Sequence, residues 1–180
     1  MMCVSNKLNS IIEELKNAFI NVNEDKANKI VNYIISADRI FITGQGRTGI
    51  MAKAFAMRLM HLGLKCFIVG ETLTPSIKNG DLLIAGSGSG ESRITCYIAN
   101  SAREKGACIC SITTNKDSKL AKLSDVYVTI ADRGKAGTCQ FGGSLFEQSL
   151  LIYFDSIIIL IIEKLGTTYS DMKNMHANLE

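Results

Sequence analysis

Leu82-Leu83-Ile84-Ala85-Gly86-Ser87-Gly88-Ser89-Gly90-Glu91-Ser92 begins as an unbroken apolar run and turns abruptly into alternating glycine and serine. Four apolar residues without a polar alternation suit a strand covered on both faces, the situation of a parallel sheet. The stretch that follows, from about Gly90 to Lys105, has helical periodicity. Similar pairs flank it. Ile40 to Thr43 leads into a helical pattern from about Arg47 to Leu62, and Cys66 to Val69 is a second apolar run. Downstream, Ala107 to Thr113 precedes a short helix near Ser118 to Leu123, and Val126 to Ile130 leads through a Gly-rich loop to a long helix from Ser144 to Leu165. Alternation of this kind predicts a three-layer α/β/α sandwich around a five-stranded parallel sheet of flavodoxin-like order. Right-handed crossovers then bring the ends of the first and third strands together at a switch point, where ligands dock.

Residues 1–38 read as a leader of two helices, with Ile11, Ile12, Leu15, Ala18 and Phe19 on one stripe and Ala27, Ile30, Val31, Ile34 and Ile35 on the next. They pack and carry no evident chemistry. At 180 residues, the expected organisation is one domain spanning 1–180, with the leader on a core from 39 onward. A 47% hydrophobic content excludes a disordered chain, and a formal charge of +3 is too small and dispersed for a nucleic-acid binder. The six cysteines show no C-x-x-C spacing and three lie in strand-like runs, so they read as reduced, mostly buried thiols. No secretory signal is visible at the start, and Glu147, Gln148 and Asp155 argue against a membrane span in the long apolar helix. The cytoplasm is the expected compartment.

The loop after the first strand, Gly44-Gln45-Gly46-Arg47-Thr48-Gly49, is a G-x-G-x-x-G, and Glu71 follows the second strand where a dinucleotide fold places its ribose-binding acid. It fits an NAD site or a tight turn. The Gly86–Ser92 loop is more specific, because Ser87, Ser89 and Ser92 place hydroxyls beside glycine amides at a helix start, as a phosphate cradle requires. A bare N-cap at Ser89 would explain one of these serines and leave the others without a role.

Glu147 lies in the first turn of the last long helix, on the face of Leu151, Phe154, Ile158 and Ile161. A carboxylate there suits a general base. Ser144-Leu145-Phe146-Glu147 is equally an S-x-x-E capping box, in which Glu147 would only hydrogen-bond its own helix start. His61 closes the helix begun at Arg47, just before Gly63. His176 stands in a polar terminal segment that no core demands, so it can reach a neighbouring subunit's site. Two histidines without paired Cys or Asp make a poor metal set, and no metal is expected.

Together, Gly44–Gly49, Met57-Arg58-Leu59-Met60-His61-Leu62-Gly63, Val69-Gly70-Glu71-Thr72, Ser87–Ser92, Gly143-Ser144-Leu145-Phe146-Glu147-Gln148 and His176-Ala177-Asn178-Leu179 resemble the 6-phospho-3-hexuloisomerases, members of the sugar isomerase (SIS) domain group. Thr48 and Ser92 replace the more usual Ser and Thr and keep a hydroxyl. The resemblance implies interconversion of D-arabino-3-hexulose 6-phosphate and fructose 6-phosphate through an enediol, without a cofactor, in formaldehyde fixation by the ribulose monophosphate route. It implies a homo-oligomer, commonly a tetramer, working with 3-hexulose-6-phosphate synthase. Carried over by position, Glu147 is the base, and His176, or else His61, the acid. Gly46, Arg47, Thr48, Ser87, Gly88, Ser89, Gly90, Glu91 and Ser92 would hold the sugar phosphate. The stretch Ala131 to Gln140 matches no familiar motif. Two other readings stay open: an NAD-binding module, and a non-catalytic sugar-phosphate sensor. A sensor of this kind needs a DNA-binding domain that the short leader does not supply.

Overall fold

The computed structural model describes residues 3–132 and 137–178. Leu179 of the terminal motif and residues 133–136 of the unassigned loop lie outside this range. The elements run α1 (Val4–Ala18), α2 (Glu24–Ser36), β1 (Ile40–Gly44), α3 (Gly46–His61), β2 (Cys66–Ile68), β3 (Leu82–Gly86), α4 (Arg93–Glu104), β4 (Cys108–Thr113), α5 (Lys119–Leu123), β5 (Val126–Thr129), α6 (Ser144–Leu165) and α7 (Tyr169–Asn174). The five strands are all parallel, in the order β2-β1-β3-β4-β5. This is the expected architecture.

Successive strand residues face opposite sides, so each strand feeds two cores. On one side Ile40, Ile42, Ile84, Ile112 and Val128 pack with α2, α3 and α6. Phe55 of α3 and Phe154 of α6 stack there, ring centroids 4.1 Å apart. On the other side Phe41, Leu83, Ala85 and Ile109 pack with α4 and α5. The long apolar α6 is thus a core helix, half of its most apolar stretch buried against the sheet and its neighbours.

Three local expectations change. α4 begins at Arg93 rather than Gly90, because residues 87–92 remain an irregular loop fixed by its own hydrogen bonds. α7 adds a second helix at the carboxyl end, where Thr168 and Asp171 form a full capping box. Ile12 faces outward at 48% exposure, while Leu15, Ala18 and Phe19 pack inward. All six cysteines are free, but only Cys110 is fully buried; Cys3 and Cys139 are exposed. Burial pushes the Cys66 thiol up to about 12, as befits an inert side chain.

Candidate active site

β1 and β3 are neighbours, with Gly44 paired to Gly86, so the loops that leave them stand side by side at the carboxyl edge of the sheet. α3 starts almost on top of its strand: a Cβ on Gly49 would sit 2.6 Å from the Gly44 carbonyl oxygen. The glycines of the first loop therefore permit a close strand-to-helix approach and leave the α3 amino terminus at the crevice.

The serine-rich loop is held by its neighbours. Gly88 carbonyl accepts from Thr113 Oγ1 at 3.1 Å, Thr114 Oγ1 at 2.9 Å and Thr114 N at 3.0 Å. Gly90 has φ +66°, and a Cβ there would run into Ser118 and meet Thr113 Oγ1 at 2.9 Å. Several residues expected to touch ligand have structural duties instead. Ser87 is buried and its Oγ accepts from Gly90 N at 3.1 Å. Glu91 accepts from Lys119 N at 2.9 Å, the first amide of α5, and pairs with the Lys119 ammonium. Ser92, not Ser89, caps α4, accepting from Thr95 N at 3.5 Å and Thr95 Oγ1 at 3.2 Å. Thr48 is buried, its Cγ2 against Gly86. Ser89 is the exposed hydroxyl at the rim, accepting only a local bond from Glu91 N at 3.1 Å.

α6 brings Glu147 to this loop, since a Cβ on Gly88 would meet the Phe146 ring at 3.3 Å and one on Gly86 would meet Leu150 at 3.2 Å. The capping box does not form. Gly143 is the N-cap, Ser144 is already helical, and Ser144 Oγ accepts from Arg47 Nη1 at 2.9 Å. Glu147 Oε2 lies 3.2 Å from Arg47 Nε, an ion pair by distance without hydrogen-bond alignment. Buried Oε2 thus retains acceptor capacity, as does Gln148 Oε1 beside it. A mostly buried carboxylate with an unused oxygen, held by a cation beside a loop of amides, can take a proton from a bound molecule.

The histidines are elsewhere. His61 is buried at the end of α3 and stacks on His176, ring centroids 5.0 Å apart. With Arg58, Tyr169, Met172 and Lys173 they line a cavity of about 320 Å³. Burial first, then the charges of His176 and Arg58, lower the His61 pKa from its ordinary value. His61 lies fourteen positions beyond Arg47 along α3, about 21 Å at 1.5 Å per residue. The structure joins His61 to His176 but joins neither to Glu147 within one chain. Arg58 and Lys173 escaped sequence reasoning; the i, i+3 spacing of Arg58 and His61 was the available signal.

Residues 33–151 match the SIS domain family, a span that contains both loops and Glu147. The chain belongs to the SIS domain family. Over 94% of this SIS domain chain and 95% of the relative, it is 40% identical to the 3-hexulose-6-phosphate isomerase of Bacillus subtilis. The 3-hexulose-6-phosphate isomerase of Mycobacterium gastri is 35% identical, covering 98% of this chain and 92% of that one. A crystal structure from Methanococcus jannaschii, from which a 3-hexulose-6-phosphate isomerase function was inferred, superposes with a TM-score of 0.85 at 32% identity, covering 97% and 99% of the two chains. In the SIS domain setting the G-x-G-x-x-G is a strand-to-helix junction, and Glu71 is engaged in an ion pair with Lys53.

Proposed function

We propose that this chain is a 3-hexulose-6-phosphate isomerase, converting D-arabino-3-hexulose 6-phosphate to D-fructose 6-phosphate. The observation that carries the mechanism is the buried, incompletely paired Oε2 of Glu147 beside the serine-rich loop. Glu147 takes the proton from C2, leaving an enediolate across C2 and C3, and returns it to C3. The O2 proton passes to O3, so the carbonyl moves from C3 to C2 with no external oxidant or reductant. Arg47 orients the carboxylate, and its charge stabilises the enediolate. Ser89, the backbone amides of Gly88 and Ser89, and the backbone amides of the first turn of α3, Gly46 to Thr48, bind the phosphate.

The acid is the His61–His176 pair of a second copy, because the pair lies too far from Glu147 in its own chain. The functional unit is a homo-oligomer of full 1–180 chains, a tetramer, with Val4, Leu8 and Ile12 of α1 and Ile152 and Ile159 of α6 as exposed apolar contacts. It acts in the cytoplasm after 3-hexulose-6-phosphate synthase in the ribulose monophosphate pathway. The test supplies ribulose 5-phosphate, formaldehyde and the synthase, and measures fructose 6-phosphate. Wild type forms it, and Glu147→Gln lowers kcat by roughly 10²–10⁴. No product with wild type overturns the assignment; near wild-type turnover with Glu147→Gln overturns the base.

A further inference from the structure

The leader helix is tied to the loop that delivers the catalytic helix. Glu14 of α1 accepts from Thr138 Oγ1 at 2.7 Å, from Cys139 N at 2.6 Å and from Gln140 Nε2 at 3.0 Å. Its two oxygens therefore gather one backbone and two side-chain donors from three consecutive residues, more than 120 positions away in the chain. A second tie lies at the other end of the same connection, where Ala131 N donates to Ala18 O at 3.0 Å. Ala131 there has φ +52°, a left-handed conformation that a non-glycine residue holds only when its surroundings impose it.

What the loop delivers is next to the reacting carboxylate. Three residues after Gln140 comes Gly143, the N-cap of α6, whose carbonyl accepts from Glu147 N at 3.0 Å. A Cβ on Gly143 would lie 3.3 Å from Glu147 Oε1, so that oxygen stands close to residue 143 with only the space of a missing side chain between them. Displacement of residues 138–143 shifts this neighbour and the start of α6 with it. The hydrogen bonds from Thr138, then Cys139 and Gln140, hold the Glu14 carboxyl at about 2, which keeps the acceptor charged throughout the neutral range.

We propose that Glu14 is a positioning residue for the isomerisation: it anchors residues 138–140 to α1, and through Gly143 fixes the orientation of the Glu147 carboxylate. This rests on Glu147 being the base. It gives the leader a part in catalysis without placing it at the substrate.

The experiment compares full-length wild type, Glu14→Ala and Glu14→Gln by steady-state isomerase kinetics and by hydrogen–deuterium exchange at the amides of residues 139–147. Misplacing a base by about an ångström costs up to about 10²-fold. Glu14→Ala should therefore lower kcat roughly 10–100-fold with KM nearly unchanged, and exchange should accelerate at 139–147. Glu14→Gln should recover most of the loss, since Thr138 and Gln140 can reorient to accept from its amide. Should Glu14→Ala fail to fold, Thr138→Val/Gln140→Leu removes two of the donors without touching α1 and carries the same expectation. Wild-type kcat, a change confined to KM, or a fall in kcat with exchange unaltered overturns the proposal. If wild type does not isomerise the sugar phosphate, the functional reading fails, while the exchange comparison still decides whether Glu14 holds the loop.

Discussion

Glu147 and His176 lie in separate places within one chain, and a mixing experiment turns that separation into a number. Take Glu147→Gln and His176→Ala, each reduced to about 1% of wild-type kcat or less by loss of the base or the acid. With about 21 Å of α3 between the site and His61, a functional pairing requires Glu147 from one copy and His176 from another. In a mixed dimeric unit, one site then carries both substitutions and the other carries neither. Equal amounts of the variants, refolded together, make half of the units mixed, each with one intact site of two, so activity returns to about a quarter of wild type. Fructose 6-phosphate formation before and after mixing is the assay. A mixture that stays at the sum of the separate variants, or a His176→Ala variant with wild-type kcat, refutes the shared site.

Ser89→Ala should raise KM more than it lowers kcat, by roughly 1.5–3 kcal/mol for a hydrogen bond to a charged group, measured by steady-state kinetics. Gly90→Ala places a methyl group against Ser118 at φ +66°, and should cost roughly 2–5 kcal/mol in urea unfolding from overpacking plus left-handed strain. His61 titrates below its ordinary value of 6.5, chiefly because it is buried. As pH falls below 6.5 the unfolded chain takes up a proton that the folded chain refuses, so stability is lost from 6.5 downward until the folded pKa is passed. Thermal unfolding between pH 7.5 and 5 should show that loss, and His61→Asn should flatten it.

The sheet was legible because its inner strands β1, β3 and β4 are buried on both faces, which leaves largely apolar runs from Ile40, Leu82 and Cys108, while the edge strands β2 and β5 are only partly covered. Ends were less legible where a local rule met a distant partner. Ser144 to Glu147 satisfies the capping-box pattern in full, yet Arg47, 97 residues before Ser144, donates to Ser144 Oγ and lies within ion-pair distance of Glu147. The helical pattern points to a start of α4 near Gly90, but Thr113, Thr114 and Ser118 hold the loop irregular until Ser92. Glu14 carries no signal in the sequence, because its three donors lie 124–126 positions on. Periodicity reports burial, which is a property of a residue and its near neighbours; it carries no information about which polar group will arrive from another element.

The same limit applies to the two halves of the chemistry: the terminal segment marks His176 as able to reach a neighbouring subunit's site, but no motif says how far either histidine lies from Glu147 in its own chain. The pattern already has one helix begun at Arg47 and closed by His61, but motifs name residue types and do not say against which end of it Glu147, from another helix, will land. Once α3 runs from the crevice to the far edge of the sheet, its length decides the matter, since no side chain spans about 21 Å. A base at one end and an acid at the other serve one substrate only if a second copy brings its α3 carboxyl end to the first copy's serine-rich loop. On the proposed shared site, assembly belongs to the catalytic step itself: the exposed apolar residues of α1 and α6 would serve the contact between copies, and the leader, anchored to the loop before α6 by Glu14, would link an outer helix to the base.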